Sequence, residues 1–171
     1  MANMTAKLVI AAALVATAGC AKKRPEVLPP APEQATPTPT QPDYGNQNTV
    51  QPGSAQDFRQ SVIGDTVHFG LDAYDIDSEA RQILDSQAQW LMKYPNTRIT
   101  IEGHTDERGT REYNLALGDR RATAAANYLI ARGISASRIN TISYGKERPV
   151  AMGSDEQAWA QNRRAVTVVI E

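Results

Sequence analysis

Residues 98–134 read RITIEGHTDERGTREYNLALGDRRATAAANYLIARGI, and the fold turns on how they divide. Arg98 to Gly103 alternates with period two, which predicts a strand with Ile99 and Ile101 facing a core and Arg98, Thr100 and Glu102 facing away. From Tyr113-Asn114 the spacing changes to three and four. Leu117, Ala124, Ala125, Tyr128 and Leu129 then predict a helix that closes at Arg132-Gly133-Ile134, with Gly at the left-handed position and an apolar residue just beyond it. Between strand and helix lies a dozen residues of acids, bases and glycines, which form either a solvated connection or a binding site.

Outward from this unit the remaining elements follow. Upstream, Asp65 to Phe69 is β-branched and aromatic and predicts a short strand. Asp77-Ser-Glu then opens a helix through Ala80, Ile83, Leu84, Gln87, Ala88 and Leu91, capped by Asp77 or Ser78 and stopped at Tyr94-Pro95-Asn96. Downstream, Ile139 to Tyr144 reads as a third strand, and Ser154-Asp-Glu-Gln157 matches a capping box for a short helix carrying Ala158 and Trp159. Ala165 to Ile170 is a strand apolar on both faces, expected at the centre of the sheet. Strand, helix, strand, helix, strand, short helix, strand predicts an α/β sandwich, a single sheet with helices packed on one side.

The folded part is only a portion of the 171 residues. Of ten prolines, eight fall between Pro25 and Pro52 among Gln, Thr, Asn, Gly and Ala, a composition that cannot offset its own ordering entropy. Residues 21–56 therefore read as a tether, with a maximum reach of about 110 Å at ~3.1 Å per residue. Ahead of it, Lys7 precedes a run from Leu8 to Ala18 that is apolar but for Thr17. That run is too short for a membrane span, which needs ~20 residues, and has the length of an export-signal core. The chain's one cysteine, Cys20, follows directly in Ala-Gly-Cys and cannot form an intrachain disulfide. This stretch resembles a bacterial lipobox, with Thr17 where Leu is usual. The resemblance implies cleavage after residue 19, acylation of Cys20 and, with Ala21 next, sorting to the outer membrane. Several acyl chains at ~0.8 kcal/mol per buried methylene anchor stably where a single chain does not. The expected division is a signal at 1–19, lipidated Cys20 with the tether at 20–56, and one domain at 57–171. The net charge of −1 overall leaves about −2 on that domain, which offers no basic field to a nucleic-acid backbone.

Asp106 follows the second strand, and Asn114, Leu117 or Gly118, Arg121 and Ala125 share one helical stripe. Arg121 is thus a guanidinium on a face otherwise small or apolar, suited to grip a carboxylate, while Asp106 suits an ammonium. Together they fit a zwitterionic amino-acid end. A helix running straight from Thr110 would carry Arg121 ~16 Å along its axis, so residues 107–113 are expected to fold back. Gly118, costing ~1 kcal/mol relative to Ala in a helix interior, points to a close approach there. Spacing alone also fits a plainer reading, with Asp106 capping a turn and Arg121 paired to Asp119 or Glu112.

Gly103-His-Thr-Asp106, Gly109, Tyr113-Asn114, Leu117-Gly118, Arg120-Arg121-Ala122, Gly133-Ile134, Tyr144-Gly145, Pro149 and Asn162-Arg163-Arg164 resemble the OmpA-like peptidoglycan-binding domain family. Phe69 to Ile76 and Asp106 to Thr110, with the lipobox, resemble its peptidoglycan-associated lipoprotein branch. The resemblance spans residues 65–170. It implies a mixed four-stranded sheet in the order 1-4-2-3. It further implies binding, without cleavage, of the meso-diaminopimelate stem peptide of peptidoglycan, with Asp106 on the ammonium and Arg121 on the carboxylate. Asp72, Tyr74, Thr105, Asn114, Leu117 and Arg163 match positions lining the same groove. Partners implied are the Tol system, chiefly the propeller protein TolB; no cofactor or metal is implied.

Two other classes compete. A hydrolase would need paired carboxylates ~5–9 Å apart, and His104-Thr-Asp106-Glu107 is the one candidate cluster. However, there is no helix-spaced histidine pair and no Gly-x-Ser-x-Gly elbow. His104 is expected to hydrogen-bond at a strand end and His68 to lie in the core or on a sheet face. A protein–protein interaction module without wall binding is the second alternative, since arginine and acid clusters serve such interfaces equally well.

Overall fold

The computed structural model describes residues 50–170; the signal, Cys20 and the tether up to residue 49 lie outside the described residues. Element order is α1 (Ala55–Ser61), β1 (Thr66–His68), α2 (Ser78–Lys93), β2 (Arg98–His104), α3 (Arg111–Ala131), a 3-10 turn (Ala136–Arg138), β3 (Ile139–Gly145), α4 (Glu156–Asn162) and β4 (Arg164–Ile170). One sheet in the order β1-β4-β2-β3 joins the strands. β4 is antiparallel to both β1 and β2, and β2 is parallel to β3. The expected mixed sheet and its central last strand are both present.

β4 is central for a reason other than burial of both faces. Ala165, Thr167 and Val169 are buried, whereas Val168 and Ile170 on the opposite face remain 39% and 44% exposed. The long helices cover one side, and ladder pairing alone places β4 between its neighbours. On the covered side Leu84 and Leu91 of α2, Ile99 and Ile101 of β2 and Leu129 of α3 form the core. Burying each such side chain contributes ~1.5–3 kcal/mol. Buried Gln87 satisfies both ends of its amide, donating to the Gly64 carbonyl at 2.8 Å and accepting from the Thr167 hydroxyl at 2.8 Å.

Local signals explain the boundaries. Asp77 caps α2, its Oδ1 accepting from the Ala80 amide at 2.8 Å. Thr110 caps α3, which is one continuous helix from Arg111 and not a helix gathering at Tyr113. At its other end Gly133 takes φ 97°, with the Ile134 amide on the Leu129 carbonyl and the Gly133 amide on the Ile130 carbonyl, the paired bonds of a left-handed helix stop. The cap of α4 is Asp155, one residue later than the expected Ser154, because the Asp155 carboxylate reaches the Ala158 amide at 2.8 Å. The expected boundary at residue 57 falls inside α1, a helix that the sequence reading did not assign. Its cap, Ser54, accepts from the Asp57 amide, and Phe58 packs edge-on against Trp90 at 4.9 Å.

Glycines set how closely α3 lies on the sheet. A Cβ on Gly103 would stand 1.8 Å from the Gly118 carbonyl oxygen, and one on Gly118 would stand 2.3 Å from the Ser143 hydroxyl. The close approach anticipated at Gly118 is therefore backbone against backbone.

Candidate functional site

β2 ends at His104, and the chain turns through 105–110 before α3 runs back over the strand it has just left. The fold-back required by the 16 Å rise thus occurs ahead of the helix. With Gly118 pressed on Gly103, the third turn of α3 returns to the end of β2, so an unbroken helix brings Arg121 to the site instead of carrying it away.

A cleft of about 310 Å³ opens there, lined by Leu71, Asp72, Thr105, Asp106, Arg108, Gly109, Tyr113, Asn114, Leu117, Arg121 and Arg163. Seven of the eight site residues expected from the sequence line it. The eighth, Tyr74, does not. It is half-exposed outside the cleft and faces the Arg120 guanidinium at 5.8 Å from its ring. Four further wall residues, Leu71, Arg108, Gly109 and Tyr113, were not among those expected.

Arg121 is fully buried. Nε donates to the Ala73 carbonyl at 2.8 Å, Nη1 to the His104 carbonyl at 2.8 Å and Nη2 to the Gly70 carbonyl at 3.0 Å, so it pins the loop after β1 to the end of β2. Neither Asp119 nor Glu112 pairs with it, and among the described residues no carboxylate makes a salt bridge to it. Of five guanidinium N–H groups three are spent on carbonyls, leaving one on each Nη. Burial brings its pKa down to about 10, the nearby Asp106 charge opposing the change, so it stays cationic at neutral pH.

Asp106 is almost as buried and is held by other arginines. Its Oδ1 accepts from the amide and Nε of Arg108 at 3.1 and 3.2 Å, and its Oδ2 from Arg108 Nη2 at 2.6 Å and Arg163 Nη1 at 3.4 Å. Burial pushes the carboxyl up, but these hydrogen bonds outweigh it and leave the pKa below the ordinary carboxylate value. Arg163 is fixed from two further directions, donating to the Phe69 carbonyl at 3.0 Å and to Glu156 at 2.7 Å.

The remaining wall residues shape the cleft. Asn114 ties down the turn, its amide donating to the carbonyls of Arg108 at 2.7 Å and Thr110 at 2.9 Å. Thr105 is bonded locally, its hydroxyl on the Asp106 carbonyl at 3.1 Å and its amide on the Gly145 carbonyl at 2.9 Å. Asp72 sits at φ 53°, a left-handed conformation uncommon outside glycine, with Tyr113 Oη donating to its carboxylate at 3.3 Å. His104 departs from expectation. Its ring is buried with neither nitrogen hydrogen-bonded, and Nε2 stands 3.6 Å from Glu102 Oε2. Burial first, then the Arg164 and Arg148 charges, bring its pKa down to about 4. Among the described residues no cluster of His, Cys, Asp and Glu could hold a metal ion, and no helix is long and apolar enough to cross a membrane.

An opposed anion and cation, both buried and both lining one open cleft, can recognise a small zwitterionic group. Comparison with known proteins gives this geometry its kin. The OmpA family model matches residues 68–163. The peptidoglycan-associated lipoprotein of Rhizobium meliloti is 61% identical over 118 residues, 69% of this chain and 66% of that protein. That of Mesorhizobium japonicum is 49% identical over 159 residues, 92% of this chain and 87% of the relative. Among solved structures, the peptidoglycan-associated lipoprotein of Burkholderia pseudomallei superposes with a TM-score of 0.61 at 45% identity, covering 62% of this chain and 90% of that one. The C-terminal domain of Helicobacter pylori MotB shares the fold at 21% identity and a TM-score of 0.58. With a family model over more than half its length and relatives of this identity, the chain belongs to the OmpA family and, within it, to the peptidoglycan-associated lipoproteins.

Proposed function

We propose that the protein binds the meso-diaminopimelate stem peptide of peptidoglycan non-covalently in the cleft between β2 and α3. Arg121 takes the carboxylate and Asp106 the ammonium of the diaminopimelate side-chain end, with Asp72, Thr105, Asn114, Leu117 and Arg163 shaping the walls; Tyr74 is left outside that set. Lipids on Cys20 hold the chain in the outer membrane, the proline-rich segment spans the gap, and the cleft grips the wall. The domain is a clip and not an enzyme. TolB and other Tol proteins are its protein partners, on a face that includes the exposed Met152 beside Thr105 and Glu107.

One observation carries this reading: a fully buried arginine without a carboxylate partner among the described residues, on the wall of an open cleft. A buried charge left unpaired costs several kcal/mol, and a ligand carboxylate on the two remaining N–H groups would offset that cost. The test is co-sedimentation with purified peptidoglycan, comparing wild type with Asp106→Ala, Arg121→Ala and Arg121→Lys. Wild type is expected to pellet with the wall. The variants, shown to be folded by circular dichroism, are expected to stay in solution. Folded variants that pellet as wild type does would move the binding surface elsewhere and favour a protein-interaction role for this cleft.

A further inference from the structure

Asp106 has no free valence. A carboxylate offers about four acceptor positions, and all four are occupied, three by Arg108 and one by Arg163. An ammonium group arriving with three donors cannot bond to this carboxylate until a present donor leaves. The two arginines differ in how firmly they are held. The Arg163 side chain is 8% exposed and fixed by the Phe69 carbonyl and Glu156. The Arg108 side chain is 34% exposed, and among the described residues its guanidinium donates to Asp106 alone. It lies over the Trp159 ring at 4.0 Å, and its Nη1 is 4.0 Å from Glu156 Oε2. A small rotation therefore lets the guanidinium release Asp106 while keeping its aromatic support and moving onto Glu156.

We propose that Arg108 is a built-in stand-in for the ligand's ammonium, occupying the Asp106 subsite in the empty protein and exchanging out when a zwitterionic group enters; this rests on the reading of the cleft given above. The exchange swaps one cation for another, so Asp106 is never left bare in the bound or the empty state. It also makes Arg108 a competitor of the ligand's amine alone. A ligand bringing a carboxylate without an amine meets Arg121 but has nothing with which to displace Arg108. The cost of displacement therefore falls only on a ligand that brings an amine, which recovers it in part at Asp106.

The test is calorimetric titration of the full chain in detergent with a soluble diaminopimelate-containing stem peptide and with an analogue whose side-chain-end amine is replaced by hydrogen. Wild type, Arg108→Ala and Arg108→Gln are compared, each with its melting curve. Removing the competitor is expected to tighten binding of the amine-bearing peptide roughly three- to tenfold, with no gain for the analogue. Wild type is expected to prefer the amine-bearing peptide. Equal or weaker binding of that peptide by both folded variants would overturn the proposal and make Arg108 a ligand contact or a bystander. An equal gain for both peptides would overturn it too, since the effect would then be general electrostatics. If no protein binds either peptide, the reading of the cleft fails and the exchange with it, an outcome distinct from the others.

Discussion

Arg121 donates to the backbone carbonyl of His104, so the residue that ends β2 joins two buried titratable groups, the guanidinium on the cleft wall and its own imidazole. Both are held away from water, with opposite consequences. Arg121 remains charged at any physiological pH. His104 is kept neutral, because burial disfavours its charged form and the Arg164 and Arg148 charges repel another cation. The unfolded chain takes up that proton near pH 6.5, whereas the folded one resists until about 4. Between these values the unfolded state binds more protons, so this contribution to stability is complete above pH 6.5 and is lost as the pH falls to about 4. Its full size is ~3 kcal/mol. Urea titrations at pH 7, 5.5 and 4.5 are expected to show this loss in wild type, with a shallower dependence in His104→Phe. That variant should also match or exceed wild-type stability at neutral pH, because it removes two unsatisfied buried nitrogens. Asp106 behaves differently. Its pKa is depressed, so its ionised form should survive to below the usual carboxylate range of ~4, and wall binding by His104→Phe should hold steady from pH 7 to about 5. A midpoint for binding above pH 5 in that variant would mean that another group titrates. A cation on a small-residue stripe was visible in the sequence. The carbonyls it holds were not, since Gly70 and Ala73 lie 51 and 48 residues away, and their approach depends on the sheet order.

At the scale of elements, the site exists because α3 and β2 touch without side chains between them. The Gly103 and Gly118 backbones, with Ser143 across the contact, set the depth at which α3 lies and hence where Arg121 meets the strand end. Gly118→Ala would gain up to ~1 kcal/mol in helix propensity. The added Cβ would nonetheless stand 2.9 Å from the Gly103 carbonyl oxygen as well as 2.3 Å from Ser143 Oγ, so packing opposes propensity. Net destabilisation of ~1–3 kcal/mol is expected. Gly103→Ala, which drives a Cβ into backbone, is expected to cost more than ~3 kcal/mol or to prevent folding. Chemical denaturation of both variants checks the order, and Gly118→Ala with Ser143→Ala should recover only part of the loss because the Gly103 carbonyl remains. A Gly103→Ala protein as stable as wild type would show that the helix can lift freely. Elements with long periodic runs were read correctly for the reasons that make such runs informative. α1 was missed because seven residues give two turns and one buried apolar side chain, Phe58, too little for a periodicity. The α4 cap is displaced by one residue because Ser154 and Asp155 are both good caps, and only the folded chain shows that it is the Asp155 carboxylate that reaches the Ala158 amide.

For the molecule as a whole, the cleft and the entry of the N-terminal segment are separated along β2. Gly53, just ahead of α1, packs on the Tyr94 ring, with the Cβ position 3.2 Å from Cδ1. Tyr94 stacks on Trp90 at 4.7 Å and lies four residues before β2 begins. The cleft lies past the other end of β2, which at ~3.3 Å per residue is about 20 Å away. A pull applied through the N-terminal segment therefore reaches the domain at the Phe58–Trp90–Tyr94 cluster and must pass along paired strands before it reaches Asp106. The ladder of β2 with β4 resists such loading along its length, and none of Phe58, Trp90 and Tyr94 lines the cleft. Anchoring and recognition should accordingly be separable. Phe58→Ala removes a fully buried ring and is expected to cost ~3–4 kcal/mol of stability by thermal or urea unfolding. At a temperature where the variant is still folded, its affinity for peptidoglycan should equal that of wild type. Under mechanical load, by pulling on residue 50 against immobilised wall, the variant should lose α1 at a lower force, while rupture from the wall occurs at the wild-type force. A loss of wall affinity in unloaded Phe58→Ala would mean that the aromatic cluster and the cleft are coupled through the sheet, and that the molecule senses tension instead of merely bearing it.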